Sequence, residues 1–141
     1  MKTADEWFDA YSESHQNPTN KLIHWICVPS ILFSIIGLLW TVSPLLTWGT
    51  MAVSLLFYFP LSMKLSLVMM VIYALMTSVA TALGSYLLVT SVVIFVVAWI
   101  FQFVGHNIEG KKPSFFEDLK FLLVGPIWCV SFLFKKYNLS Y

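Results

Sequence analysis

Charge is scarce in this sequence. Of its 141 residues only 11% are Asp, Glu, Lys or Arg, and arginine is absent altogether. A soluble domain of this size carries about a quarter charged residues, so that class is excluded. The formal charge of +1 leaves no basic field for a nucleic-acid backbone, and nucleic acid is not an expected partner. Cysteine is also sparse: Cys27 and Cys129 sit inside apolar runs with no CxxC spacing, which excludes a disulfide scaffold and a zinc or redox pair of that type. Walker, GxSxG and GxGxxG patterns are missing, so phosphate cradling and serine hydrolysis find no support. Aromatic residues, by contrast, make up 17% of the chain, and the mean hydropathy of +0.81 exceeds what one small core can bury. An integral membrane protein is what this composition describes.

Position adds to composition. Between Leu22 and Gly105 the only Lys, Arg, Asp or Glu is Lys64. Four apolar segments fill that stretch, 22–40, 45–59, 65–83 and 85–103, and a span needs about 20 residues to cross the hydrocarbon core. The second is short. A fifth run, 119–134, carries Lys120 and is interrupted by Gly125-Pro126, which predicts a re-entrant or docked helix. Thr41–Pro44, Pro60–Lys64 and Gly84 are the only links between the spans, and short links force antiparallel neighbours. The expected fold is therefore all-α. It is a polytopic membrane helical bundle of four transmembrane helices with an N-terminal amphipathic helix and a C-terminal re-entrant or docked helix, forming one domain over 1–141. With the N-terminus cytoplasmic, four spans place all eight Lys on one side, as the positive-inside rule asks. The acidic first residues lack the basic, then apolar, pattern of a removable signal peptide.

Helix-start signals are legible at both ends. Thr3-Ala-Asp-Glu6 fits a capping box, with Ala4, Trp7, Phe8 and Tyr11 on one face. Ser114-Phe-Phe-Glu117 repeats the signature after Pro113. Asn17 suits an N-cap and Pro18 the first helical position. A helix starting there puts Asn20 and His24 at i, i+4 on one face, and Pro29 cannot donate to the Trp25 carbonyl beside His24.

All three histidines, His15, His24 and His106, fall at the membrane boundary on the same expected side. Gln102, His106 and Glu109 follow i, i+4, i+7 spacing and form a polar stripe at the end of an apolar helix, and Gly105 beside them permits close helix approach. Polar groups at a bundle interior are costly in lipid and mark function. Three imidazoles with a nearby carboxylate suit Zn, Fe, Cu or Ni, and spacing does not choose among them. Asn20 and Gln102 would then orient the rings. Lys111 and Lys112 follow and suit an anionic head group, although positive-inside topology explains them equally. Two function classes stay open: a membrane metalloenzyme, or a non-enzymatic lipid-binding or assembly protein with interfacial histidines. A transporter is disfavoured because no ionisable residue lies mid-span.

The block His15-x-Asn-Pro-x-Asn20-x-x-x-His24 with Pro29, together with Trp-Ile-Phe-Gln102-Phe-Val-Gly105-His106 leading to Glu109 and Pro113, resembles the membrane 2-hydroxy fatty acid dioxygenase family. Its members are small proteins of the fungal endoplasmic reticulum with bacterial relatives, and the similarity runs from Trp7 to about Phe134. The resemblance implies an Fe(II)- and O2-dependent enzyme that shortens a 2-hydroxy fatty acid, or a related amphiphilic hydroxy acid, by one carbon in α-oxidation. It implies His15, His24 and His106 as the iron ligands, and Glu109 as a hydrogen-bond partner or base. Chain length and the lack of Arg incline the source to a bacterial inner membrane, with the endoplasmic reticulum as the eukaryotic counterpart. Oligomeric state is not encoded in any pattern seen.

Overall fold

A computed structural model of the protein describes residues 1–110 and 121–141, and among these every regular element is helical. In chain order they are α1 (Ala4–Ser12), α2 (Pro18–Val42), α3 (Pro44–Tyr58), α4 (Met63–Leu83), a 3-10 turn (Gly84–Tyr86), α5 (Leu87–Glu109) and α6 (Val124–Lys136). Two compact units emerge, one from residues 1–29 and 97–140 and the other from residues 30–96.

In the first unit, α1 begins at the expected capping box. The Glu6 amide donates to Thr3 Oγ1 at 3.2 Å and the Thr3 amide donates to Glu6 Oε2 at 2.6 Å. Ala4, Phe8 and Tyr11 then form the buried face, which packs on α6. Asn17 caps α2, its side-chain oxygen accepting from the Thr19 amide at 2.9 Å. The helix runs on through Pro29. Gly125 and Pro126 lie in the first turn of α6, which follows a turn at 121–123, so among the described residues the fifth apolar segment is helical only from Val124 on. Proline is tolerated there because first-turn amides have no intrahelical acceptor. Gly125 also lets neighbours close in, since an added Cβ would stand 3.0 Å from Val28 Cγ1 and 3.3 Å from Tyr11 Oη.

In the second unit, α3 and α4 start alike. Ser43 Oγ accepts from the Leu46 amide and Ser62 Oγ from the Leu65 amide, each at 3.2 Å. The two helices pack on each other. Thr47, Met51, Ser54 and Tyr58 form the buried stripe of α3, and Leu65, Met69, Tyr73, Thr77 and Ala80 lie on that of α4. Their outward faces are apolar: Leu45, Leu56, Val71 and Leu75 are all exposed. Gly84 ends α4 with φ +54, a left-handed conformation that no continuing α-helix accommodates.

Two stretches are long and apolar enough to cross a membrane, Pro18–Val42 and the run Met63–Glu109, with the shorter apolar helix Pro44–Tyr58 between them. The helices overlap the expected segments: α2 runs past both ends of 22–40, α3 is displaced by one residue from 45–59, α4 begins two residues before 65, and α5 begins two residues after 85. The largest difference is the end of α5, which reaches Glu109 rather than Phe103. His106 and Glu109 thus lie on the helix, as the spacing of the polar stripe expects. The second capping signature, Ser114–Glu117, lies outside the described residues.

Candidate metal centre

The first unit gathers the polar residues that the sequence singles out. His15 follows α1, Asn20 and His24 occupy the first turns of α2, and Gln102, His106 and Glu109 line the last turns of α5. His15, Asn20, His24, Gln102 and His106 are all buried. Lys111 and Lys112 lie outside the described residues.

The imidazoles converge. Ring centroids are 4.1 Å apart for His15 and His24, 5.0 Å for His24 and His106, and 6.1 Å for His15 and His106. For comparison, nitrogen ligands bind a metal at about 2.0–2.1 Å, which puts each ring centre about 3.2 Å from the ion and neighbouring centres about 4.5–5.2 Å apart. The His24–His106 pair falls in that interval, His15–His24 is slightly tighter, and His15–His106 is wider by about an ångström. The rings meet edge to face, and among the described residues no three donor side chains stand ready-made around an ion.

Protonation supports the fit more directly than spacing does. His15 Nδ1 lies 2.6 Å from the Tyr11 carbonyl, and His24 Nδ1 lies 3.0 Å from the Asn20 carbonyl. A carbonyl only accepts, so each Nδ1 carries a hydrogen, and Nε2 is the nitrogen through which either ring would bind a metal. Both Nε2 atoms are buried. Ligating histidines characteristically donate the other ring nitrogen to a carbonyl or carboxylate, which fixes tautomer and orientation. By donor chemistry, the set suits a metal ion.

Glu109 sits one turn past His106. Its Oε1 accepts from the Gln16 amide at 2.8 Å, and its Oε2 accepts from the Asn17 amide at 2.9 Å and from Asn20 Nδ2 at 3.0 Å. Asn20 Nδ2 donates to the Ser14 carbonyl as well, at 3.2 Å. Gly105 is what admits Asn20 and His24 against α5: a Cβ there would collide with Asn20 Oδ1 and stand 3.2 Å from His24 Cε1.

Residue patterns missed part of the surroundings. Tyr11, expected only as a packing residue of α1, stacks on His15 with centroids 4.2 Å apart and planes 3° from parallel. Trp128 of α6 packs on both rings and donates its indole N–H to Ser12 Oγ at 3.0 Å. The Tyr11–His15 spacing of i, i+4 was a usable signal; nothing local ties Trp128 to His15 across more than a hundred residues.

The Mpo1-like family, described as 2-hydroxy-palmitic acid dioxygenase Mpo1-like, matches residues 1–137. This chain belongs to that family. Over 140 residues it is 33% identical to the 2-hydroxy-palmitic acid dioxygenase MPO1 of Saccharomyces cerevisiae, an alignment covering 89% of this chain and 76% of the yeast protein. No solved structure matches. The expected kinship is thereby met, and the motifs that suggested it contribute His15, Asn20, His24, Gly105, His106 and Glu109 to the cluster described above.

Proposed function

We propose that this protein is a membrane-embedded dioxygenase that shortens a 2-hydroxy fatty acid by one carbon, with Fe(II) held by His15, His24 and His106. The observation that carries the reading is the buried histidine cluster, two of whose rings have Nδ1 committed to main-chain carbonyls, in a chain that is similar to a yeast protein named for this activity. Bound there, Fe(II) would supply the Lewis acid and one-electron chemistry that joins O2 to a substrate chelated through its carboxylate and 2-hydroxyl oxygens.

The chain's own residues divide the remaining work. The nitrogens of His15, His24 and His106 would hold the ion and leave it open to substrate and O2. Tyr11 and Trp128 wall His15 from water. Gln102, buried one turn before His106, is suited to a hydrogen bond with the polar end of the substrate. Four spans, α2 to α5, form the membrane domain in this reading, with α6 docked. A helical run of 47 residues is far longer than one crossing requires, and Gly84 divides it into α4 of 21 and α5 of 23 residues, each near span length. The acyl tail would lie at hydrocarbon depth with its head at the histidines.

Anaerobic purification followed by metal analysis tests the proposal. One iron per chain is expected, together with O2 uptake that depends on a 2-hydroxy fatty acid and yields the acid one carbon shorter. His24→Ala and His106→Ala should lose both the iron and the uptake. Substoichiometric iron in the active wild-type protein, or iron unchanged in both variants, would overturn it.

A further inference from the structure

We infer that Asn20 and Glu109 form a positioning pair that sets the three histidines in register, rather than supplying a ligand or a base; the inference rests on the metal reading proposed above. The two residues touch every segment that bears a histidine. Asn20, which is completely buried, holds His24 through its own carbonyl, reaches the residue before His15 by donating to the Ser14 carbonyl, and lies against Gly105, the neighbour of His106. Glu109, three residues beyond His106, binds the amides of Gln16 and Asn17 directly after His15 and the side chain of Asn20 between the other two. The Asn20–Glu109 bond closes the circuit.

Ligand and base roles fit Glu109 poorly. A carboxylate has about four lone-pair sites, and three amide groups make four contacts with this one, the fourth being Asn17 N to Oε1 at 3.3 Å. Helix capping alone does not explain the arrangement either. The α2 N-terminus already has its cap in Asn17 Oδ1, and the backbone donors to Glu109 come from Gln16 and Asn17, which precede the helix. What the pair fixes is the path of the chain from His15 to His24 relative to the end of α5. Residues that orient metal ligands typically change affinity or activity by about 10- to 100-fold.

Co(II) titration of the full chain in detergent, followed by the visible d–d bands, separates the possibilities. Glu109→Gln and Asn20→Ala should each weaken Co(II) binding roughly 10- to 100-fold and shift the bands at saturation. The double variant should be little worse than the weaker single, because the two act as a unit, and Glu109→Asp should recover part of the affinity. Wild-type affinity and bands in both single variants would overturn the inference even if their melting temperatures fall, as would complete loss of Co(II) in Glu109→Gln, matching His24→Ala, since that is the behaviour of a ligand. A wild-type protein that binds no Co(II) overturns the metal reading itself, a different result from either. Should Glu109→Gln fail to fold, Asn20→Ala decides by the same criteria.

Discussion

Both units bury polar side chains, but they satisfy them in different ways. In residues 30–96 the buried polar groups are mostly small hydroxyls bonded within their own helix. Ser34 donates to the Ile31 carbonyl, Thr47 to Ser43, Ser66 to Ser62 and Thr77 to Tyr73, at 2.7–2.9 Å. Pairs also cross between helices, as with Ser54 Oγ and Tyr73 Oη, 2.7 Å apart between α3 and α4. In the other unit, Glu109 binds partners 89 to 93 residues away, and the three imidazoles converge with two of them, His15 and His24, oriented by carbonyls. Self-satisfied hydroxyls let helices approach closely at little polar cost. Side chains whose bonds depend on distant parts of the chain are instead held in one geometry, and geometry is what a reaction centre needs.

The sharpest test of that contrast compares a close approach in one unit with a self-bonded hydroxyl in the other. Gly105→Ala drives a Cβ into Asn20 Oδ1 and to 3.2 Å from His24 Cε1, neither of which is the loose end of a flexible chain. Overpacking of this kind costs about 1–3 kcal/mol. The variant should lose stability by that amount in thermal unfolding and lose more than tenfold in substrate-dependent O2 uptake. Thr47→Ala removes a hydroxyl and its Ser43 carbonyl contact, with an expected cost of about 1 kcal/mol or less and uptake within twofold of wild type. Equal loss of uptake in both would erase the distinction between the units.

The sequence made the helices legible because their starts are chemical. Thr3–Glu6 and Asn17-Pro18 each provide a side-chain acceptor for an orphan amide, and the structure uses both; Ser43 and Ser62 do the same for α3 and α4, in stretches that the sequence pattern marks only as short links. The three histidines were legible through the boundary they share, and Asn20 with His24 through helical spacing. Gln102, His106 and Glu109 read as one stripe at the end of the α5 helix, but the burial of Gln102 and His106 depends on tertiary partners that no local pattern shows. The role of Gly125-Pro126 depended on where α6 begins, and a Gly-Pro pair fits a break or a first turn equally well. Trp128 at His15 comes only from chain packing.

Acid should separate the units next. The second contains no Asp or Glu between Ser30 and Val96, so nothing in it titrates below neutral pH through a carboxylate. The Glu109 carboxylate accepts from the Gln16 and Asn17 amides and from Asn20 Nδ2, and acidification into the carboxylate range, about pH 4 and below, weakens those charge-assisted bonds by protonating it. Hydrogen exchange read peptide by peptide, corrected for the intrinsic pH dependence, should show residues 14–24 and 104–110 losing protection in this range before residues 45–80 do. In Glu109→Gln that differential loss should largely vanish. Synchronous loss in both regions would mean that the carboxylate linkage is not what holds the first unit together.

The smallest effect is expected at Gly49 in the interior of α3, where an added Cβ meets nothing within 4 Å. Gly105 and Gly49 are both helical glycines, yet only the first is needed for a close approach, so Gly49→Ala should stabilise the protein by roughly 0.4–1 kcal/mol through helix propensity and reduced unfolded-state entropy. The expected readout is a melting temperature raised by a few degrees in detergent with O2 uptake unchanged. Gly49 faces outward among Leu45, Leu46, Thr50 and Val53, so a fall in stability would mean that this surface packs against something in the folded state. The second unit already holds one glycine required by contact, Gly37, where an added Cβ would collide with Ser91 Oγ, so such a fall would make Gly49 a second and leave the histidines alone to mark the unit that positions.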